Sequence, residues 1–155
     1  MKRRIGIFAA LVILLGAGSV LLAQSSPFVG TWQLNLAKSK YNPGPPPQSQ
    51  TRTWDASGIV MVKGVGATGK PFSYGYTIKG DGKNTPTIGE IPNKADMIST
   101  KKIDANTYEA KFTKAGKQVE TTTFKVSNGG KTLTIDAKGS ADAGFVENIQ
   151  VLEKQ

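Results

Sequence analysis

Cysteine and histidine are both absent from this chain of 155 residues. Without cysteine there is no disulfide, no thiolate nucleophile, no iron–sulfur cluster and no lipid attached at an N-terminal cysteine. Without histidine there is no imidazole general base, no Ser-His triad, no His-ligated haem and no histidine-containing zinc site. Helical runs of Ala, Leu, Glu and Lys are missing too, and nothing after residue 27 sustains an apolar period of 3.6. The length allows one domain. The side chains that remain point to a non-catalytic protein, with no cofactor and no metal implied.

Lys2, Arg3 and Arg4 precede an apolar run from Ile5 to Ala23. A basic start, an apolar stretch and a small residue before polar Gln24-Ser25-Ser26 form the pattern of a secretory signal, with cleavage after Ala23. The run is nearly long enough to cross a bilayer, but Gly16, Ala17, Gly18 and Ser19 favour cleavage over anchoring. The expected organisation is therefore a signal peptide at 1–23 and one domain at 24–155. That domain is exported to the periplasm or beyond, with no stable membrane insertion once the signal is removed.

The 132 residues from Gln24 onward carry 17 basic and 11 acidic side chains, and Arg52 is the single arginine among them. The lysines are scattered, many at turns (Lys79, Lys83, Lys114, Lys117 and Lys131), instead of forming a basic stripe interleaved with aromatics. Nucleic acid is accordingly not an expected partner.

Period-two alternation takes the place of helical patterning. Trp32, Leu34 and Leu36 share one face of Phe28–Leu36, and Phe72, Tyr74, Tyr76 and Ile78 share one face of Lys70–Ile78. Further strands are expected over Gln48–Ala56, Ile59–Val65, Met97–Ile103, Thr107–Thr113, Gln118–Val126, Thr132–Lys138 and Phe145–Glu153. Lys79-Gly80-Asp81-Gly82-Lys83, Asp104-Ala105-Asn106, Lys114-Ala115-Gly116-Lys117 and Asn128-Gly129-Gly130-Lys131 read as tight turns. Tyr41-Asn42-Pro43-Gly44-Pro45-Pro46-Pro47 reads as a non-strand connection, a rigid loop across a barrel end. The expected fold is all-β, a single antiparallel up-and-down barrel of about eight to ten strands, its interior filled or holding one small ligand.

Gly30-Thr31-Trp32 resembles the Gly-x-Trp opening of lipocalins and related calycin barrels. Gly30–Asn35, Lys38–Pro45, Asp81-Gly82-Lys83, Pro86–Gly89, Gly130–Thr134 and the closing Glu153-Lys154-Gln155 are similar to small exported bacterial lipocalin-like proteins. The resemblance implies the barrel and carries no activity with it. It also implies that Trp32 packs under a basic residue of the last strand, here Lys154, closing the barrel base by a cation–π contact. The lipocalin Thr-Asp-x-x-Tyr motif is not present.

Arg52 shares strand parity with Trp54, so an inward Trp54 brings Arg52 inside. Glu147 has the same standing on the last strand, flanked on its face by Phe145, Ile149 and Val151. An internal arginine requires an anionic partner, which Glu120, Glu147 or a ligand carboxylate supplies, the last as in the fatty-acid-binding relatives of lipocalins. Inverted parity would place Arg52 on the surface. Phe72, Tyr74 and Tyr76 form one aromatic ladder, Tyr108 and Phe112 form a second, and Phe124 sits on the neighbouring strand; these read as core, or as the lining of an aromatic cavity. Asp81, Asp104 and Asp136 read as turn or outward residues, not as a metal site.

The leading expectation is an exported barrel that binds a small hydrophobic or amphipathic ligand. The alternative is an envelope structural or interaction module with a filled interior. A carboxylate-dependent enzyme would need two of Glu109, Glu120 and Glu147 to face one cleft. A cavity of a few hundred Å³ separates the first reading from the second.

Overall fold

Alternation lets most segments bury one face while their backbones pair with neighbouring strands. The computed structural model describes residues 26–140 and 143–155. The expected signal segment 1–23 and its cleavage after Ala23 lie outside the described residues. The strands are β1 (Gly30–Leu34), β2 (Lys40–Asn42), β3 (Ser49–Trp54), β4 (Ile59–Val65), β5 (Pro71–Thr77), β6 (Asp81–Pro86), β7 (Met97–Asp104), β8 (Thr107–Lys114), β9 (Lys117–Ser127), β10 (Thr132–Gly139) and β11 (Glu147–Lys154).

Ten of them follow one another round an antiparallel barrel in the order β5-β4-β3-β1-β11-β10-β9-β8-β7-β6, while the short β2 pairs with β11. The all-β, up-and-down barrel expected from the alternation is the fold observed. No ladder joins β5 to β6. Their seam is closed by one bridge, in which Gly75 and Ile88 exchange two backbone hydrogen bonds of 2.8 Å. A Cβ on Gly75 would sit 2.5 Å from the Met61 sulfur and 2.6 Å from the Val60 carbonyl oxygen, so glycine is required there. No helix among the described residues is long and apolar enough to cross a membrane.

Three local expectations are corrected. Asp81-Gly82-Lys83 belongs to β6 and not to a turn: Gly80, at φ 74°, makes the bend, and Asp81 already pairs with Lys101. Tyr41 and Asn42 belong to β2, because the prolines begin only at 43 and leave both amides free to pair with β11. The first strand ends at Leu34, since Asn35 caps a 3-10 turn over Leu36–Lys38 with its side-chain oxygen.

Asp55 and Asp104 hold turns by accepting backbone N–H groups two residues on, at 2.9 and 2.7 Å, while Asp81 accepts the Lys83 N–H at 3.0 Å within β6, where the pairing with β7 shifts register. Alternation fixes which side chains face inward: Gln50, Arg52 and Trp54 on β3, Thr122, Phe124 and Val126 on β9, and Leu133, Ile135 and Ala137 on β10 are all buried.

One end of the barrel is plugged. Phe28 and Trp32 are fully buried, and the Phe28 ring lies 4.6 Å from Trp54 and 5.0 Å from Tyr108. The Trp32 indole donates to the Phe28 carbonyl at 2.8 Å. Lys154 Nζ stands 5.0 Å from the Trp32 ring centroid and donates to the Pro27 carbonyl at 3.1 Å. Gly30 makes room for it: at φ 140°, a Cβ there would approach Lys154 Cε to 2.6 Å.

A cation held over an indole and bonded to a carbonyl contributes about 2 kcal/mol. Lys154→Ala is therefore expected to lower the unfolding free energy by about that much, with Lys154→Arg retaining most of it. Urea denaturation followed by tryptophan fluorescence checks both.

Candidate functional site

Beyond the aromatic plug a cavity of about 490 Å³ remains between the inward side chains. It opens at the end carrying the β2–β3, β4–β5, β6–β7 and β10–β11 connections. The rim includes Pro43, Pro45 and Pro47, with Ile91 and Phe145 on other connections. The proline segment expected to cross a barrel end thus borders the mouth.

Six of the nine residues expected to line the interior border this cavity: Arg52, Phe72, Tyr74, Tyr76, Phe112 and Phe124. The Phe72 and Tyr74 rings stack at 5.9 Å, and Tyr76 meets Phe112 edge-on at 5.5 Å. Trp54 and Tyr108 are in the plug instead, 6.0 Å apart, and do not reach the cavity.

Glu147 is a correction. The even-numbered residues of β11 face inward, with Leu152 fully buried and Gln150 bonded to Gln50 at 2.9 Å inside the barrel. Glu147 therefore stands on the outer face, directly opposite Lys138, whose Nζ it meets at 3.7 Å.

Arg52 faces inward and is 3% exposed. Its anionic partner is not Glu147, and no ion pair within 4 Å joins it to any carboxylate among the described residues. Arg52 Nη1 donates to the Tyr76 hydroxyl, the guanidinium lies 5.7 Å from the Tyr76 ring centroid, and Nε has no partner. The buried Tyr41 hydroxyl also lacks a partner. Unpaired buried donors carry a desolvation cost that a bound polar group relieves.

Glu120 projects into the same cavity from β9, half-buried. Its two oxygens accept from Thr122 Oγ1 and, at 2.5 Å, from Asn93 Nδ2. Loss of hydration raises its pKa above the ordinary carboxylate value, opposed by those two bonds and by Arg52. Glu120 is the one carboxylate among the described lining residues, and neither Glu109 nor Glu147 lines the cavity with it. No group of three or more metal-ligating Asp or Glu side chains occurs among the described residues.

The sequence offers Glu120 as a partner for an internal arginine, and parity alone could have added Gln50, which lies two residues before Arg52. Asn93 comes from the β6–β7 connection and Tyr41 from the three-residue strand β2, which is too short for alternation to signal direction.

Burial pushes the Tyr41 hydroxyl up to about 12, partly countered by Arg52, and raises Tyr74 and Tyr76 for the same reason. A native phenol that resists ionisation destabilises the fold once the unfolded phenol ionises. Stability is thus expected to fall as pH rises from about 10 towards about 12. Tyr41→Phe should flatten that decline, measured as denaturation midpoint against pH.

No family model matches the chain, and no curated protein does. Among solved structures it is similar to As-p18, described as an extracellular fatty acid binding protein, with a TM-score of 0.51 and 16% identity over 84% of this chain and 97% of that one. At that identity the likeness is one of fold: this chain is built as the same kind of antiparallel barrel.

Proposed function

We propose that this protein is an exported carrier that encloses one small hydrophobic or amphipathic molecule in its barrel. The observation that carries the reading is the cavity of about 490 Å³, aromatic-walled and containing a buried guanidinium whose Nε lacks a partner. Ligand sites typically occupy about 300–1,000 Å³, mostly apolar with a few convergent polar groups. The apolar body would lie against Phe72, Tyr74, Phe112 and Phe124, with the polar end at Arg52 and Tyr41.

Export rests on the basic and apolar start of the sequence, and the extracellular neighbour of like fold agrees with it. The alternative, a structural or interaction module, needs a filled interior, and the open volume favours the carrier.

Binding of Nile red, an uncharged apolar dye, tests the reading. Ala137 lies on the inward face of β10 and borders the cavity. Ala137→Trp puts an indole into that space and is expected to weaken dye binding at least about tenfold while the protein stays folded. Native mass spectrometry with organic extraction should recover a ligand at one per chain. Wild-type protein that carries nothing and takes up no dye would sink the proposal.

A further inference from the structure

Among the described lining residues two are charged, Arg52 from β3 and Glu120 from β9. Each is held on its own side. Arg52 donates to Tyr76, while both oxygens of Glu120 are engaged by Thr122 and Asn93. Asn93 is itself buried, and its Oδ1 accepts the Ala95 N–H at 3.0 Å, so its amide cannot turn away without losing that bond. The phenols of Tyr41, Tyr74 and Tyr76 are neutral at ordinary pH and add no charge. Among the described lining residues the guanidinium and the carboxylate therefore balance formally without touching.

We propose that Glu120 sets the charge of the ligand head, so that the cavity takes uncharged amphiphiles bearing an acceptor oxygen, such as primary amides or alcohols, and discriminates against alkyl carboxylates. This deepens the carrier reading and rests on it. A carboxylate drawn to Arg52 would bring a second negative charge into a poorly hydrated space already holding Glu120. Like charges there disfavour one another, and excess buried charge is costly. An alkylammonium would instead leave an excess positive charge alongside Arg52. An amide or hydroxyl oxygen accepts from Arg52 Nε, satisfying a buried donor at no cost in charge. The unpartnered Tyr41 oxygen is available to accept the head's own proton.

Competition against Nile red on the full chain at neutral pH tests this, with dodecanamide, dodecanoate and dodecylammonium matched in chain length. Dodecanamide is expected to displace the dye at a concentration at least about tenfold lower than either ion. Glu120→Gln removes the charge at nearly constant shape. It should raise dodecanoate affinity about tenfold and leave dodecanamide within about threefold.

Wild-type protein that binds dodecanoate as tightly as dodecanamide overturns the proposal and leaves the carrier reading standing. So does a folded Glu120→Gln protein with unchanged preference. Should that variant not fold, the wild-type comparison decides alone. A wild type that binds neither the dye nor any competitor overturns both.

Discussion

A flat sheet of ten strands would leave two rows of unpaired backbone groups open to water and to other chains. Pairing of β11 with β1 prevents this on one side, and the cation of Lys154 over Trp32 marks the register at which the two strands meet. The contact requires three things together: an indole inside, a glycine two residues before it and a basic residue on the last strand. Trp32 lies directly opposite Lys154 in the β1–β11 ladder. The rest of the barrel inherits its phase from that pairing, because a slip of one residue would send every inward side chain outward.

The plug also determines where the cavity can be. Phe28, Trp32, Trp54 and Tyr108 are the bulky side chains of one end, and they meet there. Towards the other end the inward positions include Gln50, Thr122 and Ala137, whose small or polar side chains leave space between the aromatics of the wall. A buried arginine without a carboxylate partner is unfavourable for folding alone. A bound polar group that accepts from Arg52 would offset that cost, which is the physical basis of the carrier reading.

Much of the architecture was legible because a half-buried antiparallel strand must alternate. The inward set of β3 and the aromatics of β5 follow directly from parity, and so does Arg52's position. Parity failed for β11, where Phe145, Ile149 and Val151 suggested the wrong face. The side chains facing the cavity on that strand, Asn148 and Gln150, are polar, so apolar content pointed outward. It also missed β6, whose Asp81-Gly82-Lys83 has the composition of a turn but extends along β7. Trp54 and Tyr108 show a different limit: parity tells inside from outside, not plug from cavity. Height along the barrel depends on how strands are staggered, which no single segment encodes.

The bridge between Gly75 and Ile88 gives the wall an unequal circumference. Parting β9 from β10 would break a ladder running from Thr132 to Gly139, whereas at the bridge two backbone bonds hold the facing segments. The barrel is consequently anisotropic under load. Its compliance is concentrated along one generator of the cylinder, and the free energy of local opening is lowest beside Tyr74 and Tyr76, the residues that border the enclosed space.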